Sequence, residues 1–278
     1  MAYLAQDRSR MQPPPRKRGS VLKRVASNIA EGVDGSDKRF ISHDDYASRA
    51  GRSLYWEDLW QQTPWFDNDG PCVALMEYLG TCSGTALVPG CGRGHDCHAL
   101  AERGFARVVG VDISPRAIDA ARACRTSPAV EFIVANFFEI DGVFDFVLDS
   151  IFFASLHPHA RRAWARHMAR VVAPGGTLAV LVFPMARWWH LSQFYRHFFS
   201  GPPYNITVDL VKHLLAREGF APVHVQDPLP PDLHHLPNNH LHADSAFLVL
   251  QKQPILAKSG DSSDSFGETD LGEVAGQV

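Results

Sequence analysis

No run of apolar residues in this 278-residue chain reaches the roughly 18–20 needed to span a bilayer as a helix. The longest candidates, such as "GGTLAVLVFP", have the length of a buried strand. The chain also lacks a disulfide frame. Its five cysteines, Cys72, Cys82, Cys91, Cys97 and Cys124, are odd in number and show no C-x-x-C spacing. Without a secretory apolar segment they read as reduced thiols, and the expected location is cytoplasmic. There is no H-E-x-x-H frame and no internal repeat, so no metal site is expected. An excess of positive charge is missing too. Residues 25–253 carry 19 basic and 24 acidic side chains, a poor match to a polyanion, so no nucleic-acid partner is expected.

What is present is ordinary globular composition, 45% hydrophobic and 21% charged, with two polar ends. Residues 1–24 hold seven basic side chains and one acid, and residues 254–278 hold five acids and one lysine. Both ends are rich in Pro, Ser or Gly and read as disordered. The basic end is compatible with a solvated tail, a targeting segment or an anionic partner. The expected division is a basic tail over 1–40, one catalytic domain over 41–253 and an acidic tail over 254–278.

From residue 85 strands and helices alternate. "TALVPG" (85–90), "ARVVGVDIS" (106–114), "VEFIVANFF" (130–138), "FDFVLDSIFF" (144–153) and "TLAVLVFP" (177–184) read as strands. Helices are expected over 94–104, from Ser114-Pro115 to about Cys124, over 158–172 up to "APGG", and over 207–219. "PVHVQDP" and "SAFLVLQK" then read as a closing antiparallel pair. Near-continuous apolar strands alternating with helices make an α/β fold, a Rossmann-like parallel sheet with both faces covered.

"LVPGCGRGHD" (87–96) joins the first strand to the first helix and places Gly90, Gly92 and Gly94 where a backbone must turn sharply and admit a ligand. Asp112, beside Ile113, ends the second strand 18 residues beyond Gly94 and suits two ribose hydroxyls. A dinucleotide loop would carry glycine where His95 stands, and Asp96 would repel a pyrophosphate. Asp96 instead suits an ammonium group, as at the methionine end of S-adenosyl-L-methionine, or serves only as a helix-dipole partner. Asn136 and Phe137 close the third strand, where an amide and a ring can meet adenine. The plainer alternative for Phe137 is core packing.

Taken in order, "VPGCGRGHD", "GVDIS", "FDFVLDSIFFASLHPHARRAWA" and "GPPYNITVDLV" resemble the thiopurine S-methyltransferase superfamily, most like its plant-type thiol, thiocyanate and halide methyltransferases. The resemblance runs over about residues 53–225. It implies a seven-stranded class I methyltransferase fold with a terminal antiparallel strand and an N-terminal helical cap. It also implies S-adenosyl-L-methionine as cofactor and a small-molecule nucleophile as acceptor. A monomer is expected. Other functions to weigh are a methyltransferase for another small nitrogen or oxygen acceptor, a cofactor-binding protein without turnover, and a nicotinamide oxidoreductase.

The resemblance extends to "YWEDLWQQTPWFD" (55–67), with Trp56, Trp60 and Trp65 expected around the cofactor and core packing the alternative for Trp60. It implies Tyr204 of "GPPY" as an active-site tyrosine and Arg161 of "HPHAR" as an arginine near substrate. His157 is a candidate proton relay and Asp149 a cofactor or structural acid. The alternatives are a solvated Arg161 and a capping His157.

Several positions depart from the plant pattern. The span from the second to the third tryptophan is about two residues shorter. Asn136 replaces a frequent aspartate, Ser150 a tyrosine, and His157 and His159 two glutamates. An insertion of roughly ten residues, "ARWWHLSQFYRHFFS", is either an aromatic lid over the acceptor or a packed helix. The histidines of "DLHHLPNNHLHAD" (232–244) read as a solvated loop.

Overall fold

The computed structural model describes residues 49–61, 67, 70–183, 185, 202–233 and 245–254, with side chains from Ser53 onward. Trp65, the segment 186–200, both tails and the four histidines of 234–242 lie outside the described residues.

Helix α1 (Arg49–Leu59) and the short α2 (Val73–Tyr78) precede the sheet. The alternating part runs β1 (Thr85–Pro89), α3 (His95–Glu102), β2 (Arg107–Asp112), α4 (Pro115–Cys124), β3 (Val130–Val134) and β4 (Phe144–Ser150). It continues as α5 (Phe152–Ser155), α6 (Arg161–Val171), β5 (Val172–Val182), α7 (Val208–Ala216), β6 (Phe220–Gln226) and β7 (Ala246–Lys252). The strands form one sheet in the order β3-β2-β1-β4-β5-β7-β6. β1 to β5 pair in parallel, and β7 is antiparallel to both β5 and β6. This is the expected α/β sheet, with the expected antiparallel closure.

Period-two alternation divides the core between the two faces. Leu178, Val180 and Val182 face α6 and α7, packing with Trp164, Met168, Val211 and Leu215. Ala179 and Leu181 face the other way, into a cluster with Leu75 of α2, Leu100 of α3 and Ile118 of α4. The chain reverses direction across the sheet between β1 and β4, so the crevice at their C-terminal ends is where an open α/β sheet takes its ligand.

Three expected boundaries move. The third strand stops at Val134, and Asn136 caps a single 3-10 turn (Phe137–Glu139) through Oδ1, which accepts from the Phe138 N–H at 3.3 Å. β3 is an edge strand with one flank unpaired, so Val134 is 44% exposed and the apolar run beyond it is free to turn. The fourth strand stops at Ser150, because Ile151 adopts φ +69° and starts α5. The fifth begins at Val172, not Thr177. "APGG" does end α6, but it bulges within β5, whose register with β4 jumps between Val172 and Thr177.

Candidate active site

β1 delivers the glycine loop at the C-terminal edge of the sheet. Gly90, Gly92 and Gly94 all have positive φ, at +63°, +51° and +75°. A Cβ at Gly94 would lie 2.3 Å from the Phe132 ring, so only glycine lets β1 turn into α3 here. Beside the loop, Asp112 ends β2. Its Oδ2 accepts from the Gly92 N–H (3.2 Å) and its Oδ1 from the Ser114 N–H (3.0 Å). Burial pushes the carboxyl up to about 6, against these N–H groups and that of Ile113, which favour the anion. Ile113 itself is half-buried in the turn into α4.

Asp96 lies in the first turn of α3, and its Oδ1 accepts from the Cys72 N–H at 2.7 Å. One carboxylate oxygen therefore holds the start of α2, and the helix-dipole role holds as well. Phe137 is 3% exposed and packs edge-on against Phe152 and His167, with centroids 5.3 and 4.6 Å away. That environment favours the core alternative for its ring. Asn136, half-buried, keeps its amide at the surface beside Glu139.

The segment before the sheet is fastened over this loop at four points. The Trp60 ring edge lies 3.3 Å from where a Gly92 Cβ would stand. Arg93, within the loop, is ion-paired with Asp67, two residues beyond Trp65. Cys72 is bound by Asp96. Glu57 of α1 accepts from the Ser114 hydroxyl (2.6 Å) and the Arg116 N–H (3.2 Å), and pairs with the Arg116 side chain at 2.8 Å. Glu57 thus sits at the N-terminus of α4, where the helix dipole favours a carboxylate. Trp56, one turn before Trp60, is half-buried with Tyr55 edge-on against it at 5.2 Å.

The other half of the site gathers at the end of β4. Asp149 is fully buried. Its Oδ1 accepts from the Phe153 N–H (2.9 Å) and its Oδ2 from the Trp164 Nε1–H (2.8 Å), and burial pushes it up to about 7. With both oxygens enclosed and bound within the fold, the structural half of the expectation for Asp149 is favoured over cofactor contact. Ser150 follows, its Oγ buried without a hydrogen-bond partner among the described residues. Ile151 then takes a positive φ, which is strained for a β-branched residue.

Arg161 begins α6 and is half-buried, not solvated. Its guanidinium lies over the Phe153 ring (5.2 Å) and donates to the Asn205 carbonyl (3.0 Å), while Nε is buried without a partner among the described residues. Burial lowers it to about 10, so it remains a cation at neutral pH. Tyr204 is 1% exposed, anchored by its N–H to the Ala154 carbonyl (2.8 Å), and burial pushes its phenol up to about 12. His157 packs edge-on against it at 5.8 Å. The His157 Nδ1 accepts from the His159 N–H (3.2 Å), so the capping alternative holds. The nitrogen that could receive a proton is thereby engaged, and Nε2 carries the hydrogen in the neutral ring.

A family description, thiopurine S-methyltransferase (TPMT), matches residues 52–253. The chain belongs to this family. It is similar to thiocyanate methyltransferase 1 of Arabidopsis thaliana, 35% identical over 190 residues, covering 62% of this chain and 75% of that protein. Thiocyanate methyltransferase 1 of Brassica oleracea is 34% identical over 186 residues, covering 62% and 76%. Among solved structures, the N-methyltransferase NodS from Bradyrhizobium japonicum WM9, in complex with S-adenosyl-L-homocysteine, superposes with a TM-score of 0.51 at 20% identity. It covers 72% of this chain and 97% of that one. The chain is thus an S-adenosylmethionine-dependent S-methyltransferase with the class I methyltransferase fold.

The described residues of this family member fit that cofactor. A bare-backbone loop at a strand end, an aspartate beside that loop and an overlying tryptophan are chemically suited to an adenosyl group. Sequence reasoning missed Glu57, although it stands inside the quoted "YWEDLW". An acid between two tryptophans was the available signal for Glu57. No helix among the described residues is long and apolar enough to cross a membrane. Among them no cluster of His, Cys, Asp or Glu is arranged to hold a metal ion.

Proposed function

We propose that the acceptor is a small sulfur nucleophile or related anion: a thiol, hydrosulfide, thiocyanate or halide. The observation that carries this reading is Arg161, a guanidinium withdrawn from water beside Tyr204 with a buried Nε still without a partner among the described residues. A desolvated cation favours an anionic ligand, and a thiol with a pKa near 8.5 is a few per cent thiolate at neutral pH. The names of the plant relatives point the same way.

In this reading Gly90, Gly92 and Gly94 border the amino-acid end of the cofactor, with Asp96 beside it, and Asp112 accepts from the ribose hydroxyls. Ile113 and Asn136 border the adenine, and Trp56, Trp60 and Trp65 exclude water. When bound, S-adenosylmethionine supplies an electrophilic methyl group on a sulfonium. Tyr204 and Arg161 hold the nucleophile in line with it, and His157 donates from Nε2. In-line alignment and exclusion of water are the main protein contributions to such a displacement.

The segment 186–200 is proposed as an aromatic lid. Its flanks support this, since Met185 bridges to Ile206, two residues after Tyr204. Deleting the lid should change the ranking of acceptors while cofactor affinity stays. The enzyme is proposed to be a cytoplasmic monomer. The reading as a whole is tested by supplying S-adenosylmethionine with thiols, hydrosulfide, thiocyanate and iodide, and measuring methylated product and S-adenosylhomocysteine. Tight cofactor binding without product across the panel overturns it.

A further inference from the structure

α6 carries a charge pattern that the active site does not use. Its sequence, RRAWARHMARV, contains four arginines and no acid. Arg161 lies over Phe153, whereas Arg162, Arg166 and Arg170 are exposed. Spaced four residues apart, these three form one ladder about 12 Å long on the helix surface. Like charges at this spacing repel, and Arg162 stands in the first turn, where the helix dipole disfavours a cation. An anionic partner would relieve both effects. Asp141 pairs with Arg170 at 3.2 Å, but both side chains are largely in water, so that pair contributes little. Arg162 and Arg166 have no ion-pair partner among the described residues.

The chain's own acidic segment leaves the fold at the foot of this ladder. Lys252, at the end of β7, donates from Nζ to the carbonyls of Ala169 (2.5 Å) and Val172 (2.8 Å), closing the last turn of α6 beside Arg170. Gln253 is then fixed by its N–H on the Gly219 carbonyl at 2.9 Å. Residues 255–278 lie outside the described residues and carry five acids and one lysine. Asp261, the first acid, can stand up to about 30 Å from Lys252 along an extended chain, so the whole ladder is within reach. The basic segment 1–24 is the competing partner in the sequence. The described chain, however, enters at α1, which is clamped to α4 beside β2 and β3, at the other end of the sheet from β7. We propose that residues 255–278 dock on the same chain along Arg170, Arg166 and Arg162, as an electrostatic strap running from the foot of the sheet toward the end of α6 where Arg161 enters the active site. Carboxylates on an extended chain can engage surface guanidinium groups in many pairings, so the segment needs no fold of its own. The strap does not depend on which acceptor the enzyme methylates.

The test keeps the full chain and uses Arg166→Lys, which conserves the charge and supplies an amine. A water-soluble carbodiimide joins that amine to a touching carboxylate as an amide, taking up the water released, and leaves no spacer. Peptide mass spectrometry should find residue 166 joined to the acids of 255–278 within one chain. The reference is Arg107→Lys, exposed at the start of β2, three strands from β5. Its yield of cross-links to the same acids should be lower by about fivefold or more, the effect of three exposed ion pairs acting together. Adding Arg162→Gln and Arg170→Gln should bring the yield at 166 down to the reference level, and so should salt at about 0.5 M, which screens surface charges beyond a few ångströms. Equal yields at 166 and 107 mean a segment that samples the surface without docking, and they overturn the proposal. Coupling of the acids chiefly to Lys17 and Lys23 overturns it in favour of the basic segment. Cross-links that mainly join isotope-labelled to unlabelled chains put the segment on a second copy, and overturn it as well.

Discussion

The ends of β2 and β4 look alike and behave differently. Each brings an aspartate to the C-terminal edge of the sheet, and burial pushes both carboxyls up, Asp112 to about 6 and Asp149 to about 7. Asp112 accepts one local N–H on each oxygen and lies against the glycine loop under α1. Asp149 is sealed, with its oxygens taken by the Phe153 N–H and by the Trp164 indole fifteen residues away. Each carboxylate accepts one hydrogen bond on each oxygen, so acceptor count does not separate them. Asp149 has no exposed surface and ties β4 to the indole of α6, whereas Asp112 is 9% exposed beside the glycine loop, where a ligand can reach it. The strand-end position does not distinguish them. Their exposure and their neighbours do.

The sharpest way to break this contrast is Asp149→Ala. It strands two buried donors, each costing about 1–3 kcal/mol. Urea unfolding should show a loss of several kcal/mol, and a stability near the parent's would end the structural assignment. Asp112→Asn should do the reverse, staying folded while affinity for S-adenosylhomocysteine drops about 10- to 100-fold, as expected for a hydrogen bond to a charged group. Equal affinity by calorimetry would remove Asp112 from the cofactor site.

A third measurement uses pH. Cofactor hydroxyls donate to the ionised carboxylate, so binding favours the deprotonated form of Asp112. With the free value at about 6, affinity should be level above about pH 7 and fall up to tenfold per unit below about 6. Asp112→Asn should flatten that slope. The linkage to folding has the opposite sign. A folded value above the unfolded 3.8 means the native state keeps its proton longer, so the two aspartates reduce stability as pH rises from about 4 to about 7.

The smallest effect is expected at the clamp between α1 and α4. Glu57→Gln removes a partly exposed ion pair but keeps an acceptor oxygen, and should cost about 1 kcal/mol or less. Its cofactor affinity should weaken only a few-fold. A larger loss would mean that α1 is held over the cleft mainly by this one side chain.

The cofactor half of the site was legible because its information is local. Three glycines, a strand end and an acid at the next strand end are contiguous signals, and positive φ at Gly90, Gly92 and Gly94 is what those glycines are for. Strands were legible for the same reason, as apolar runs closed by turn residues. Where neighbours decide, the reading slipped. The apolar run continues through Phe138, yet at the sheet's edge the chain turns at Asn136 and sends Phe137 into the core. Arg161 at a helix start looked equally well solvated, and only Phe153 and Asn205 reveal that it is withdrawn from water.

By itself the sequence determined the α/β order, the antiparallel closure, the glycine loop with its acid and the family, since each depends on residue types at short and regular spacing. Tertiary structure decided which of two equivalent aspartates is sealed, that Glu57 rather than a tryptophan clamps α1 to α4, and that Arg161 lies over Phe153 withdrawn from water. Those facts depend on how residues distant in the chain share one volume, and exposure inside that volume can be judged only once its neighbours are known.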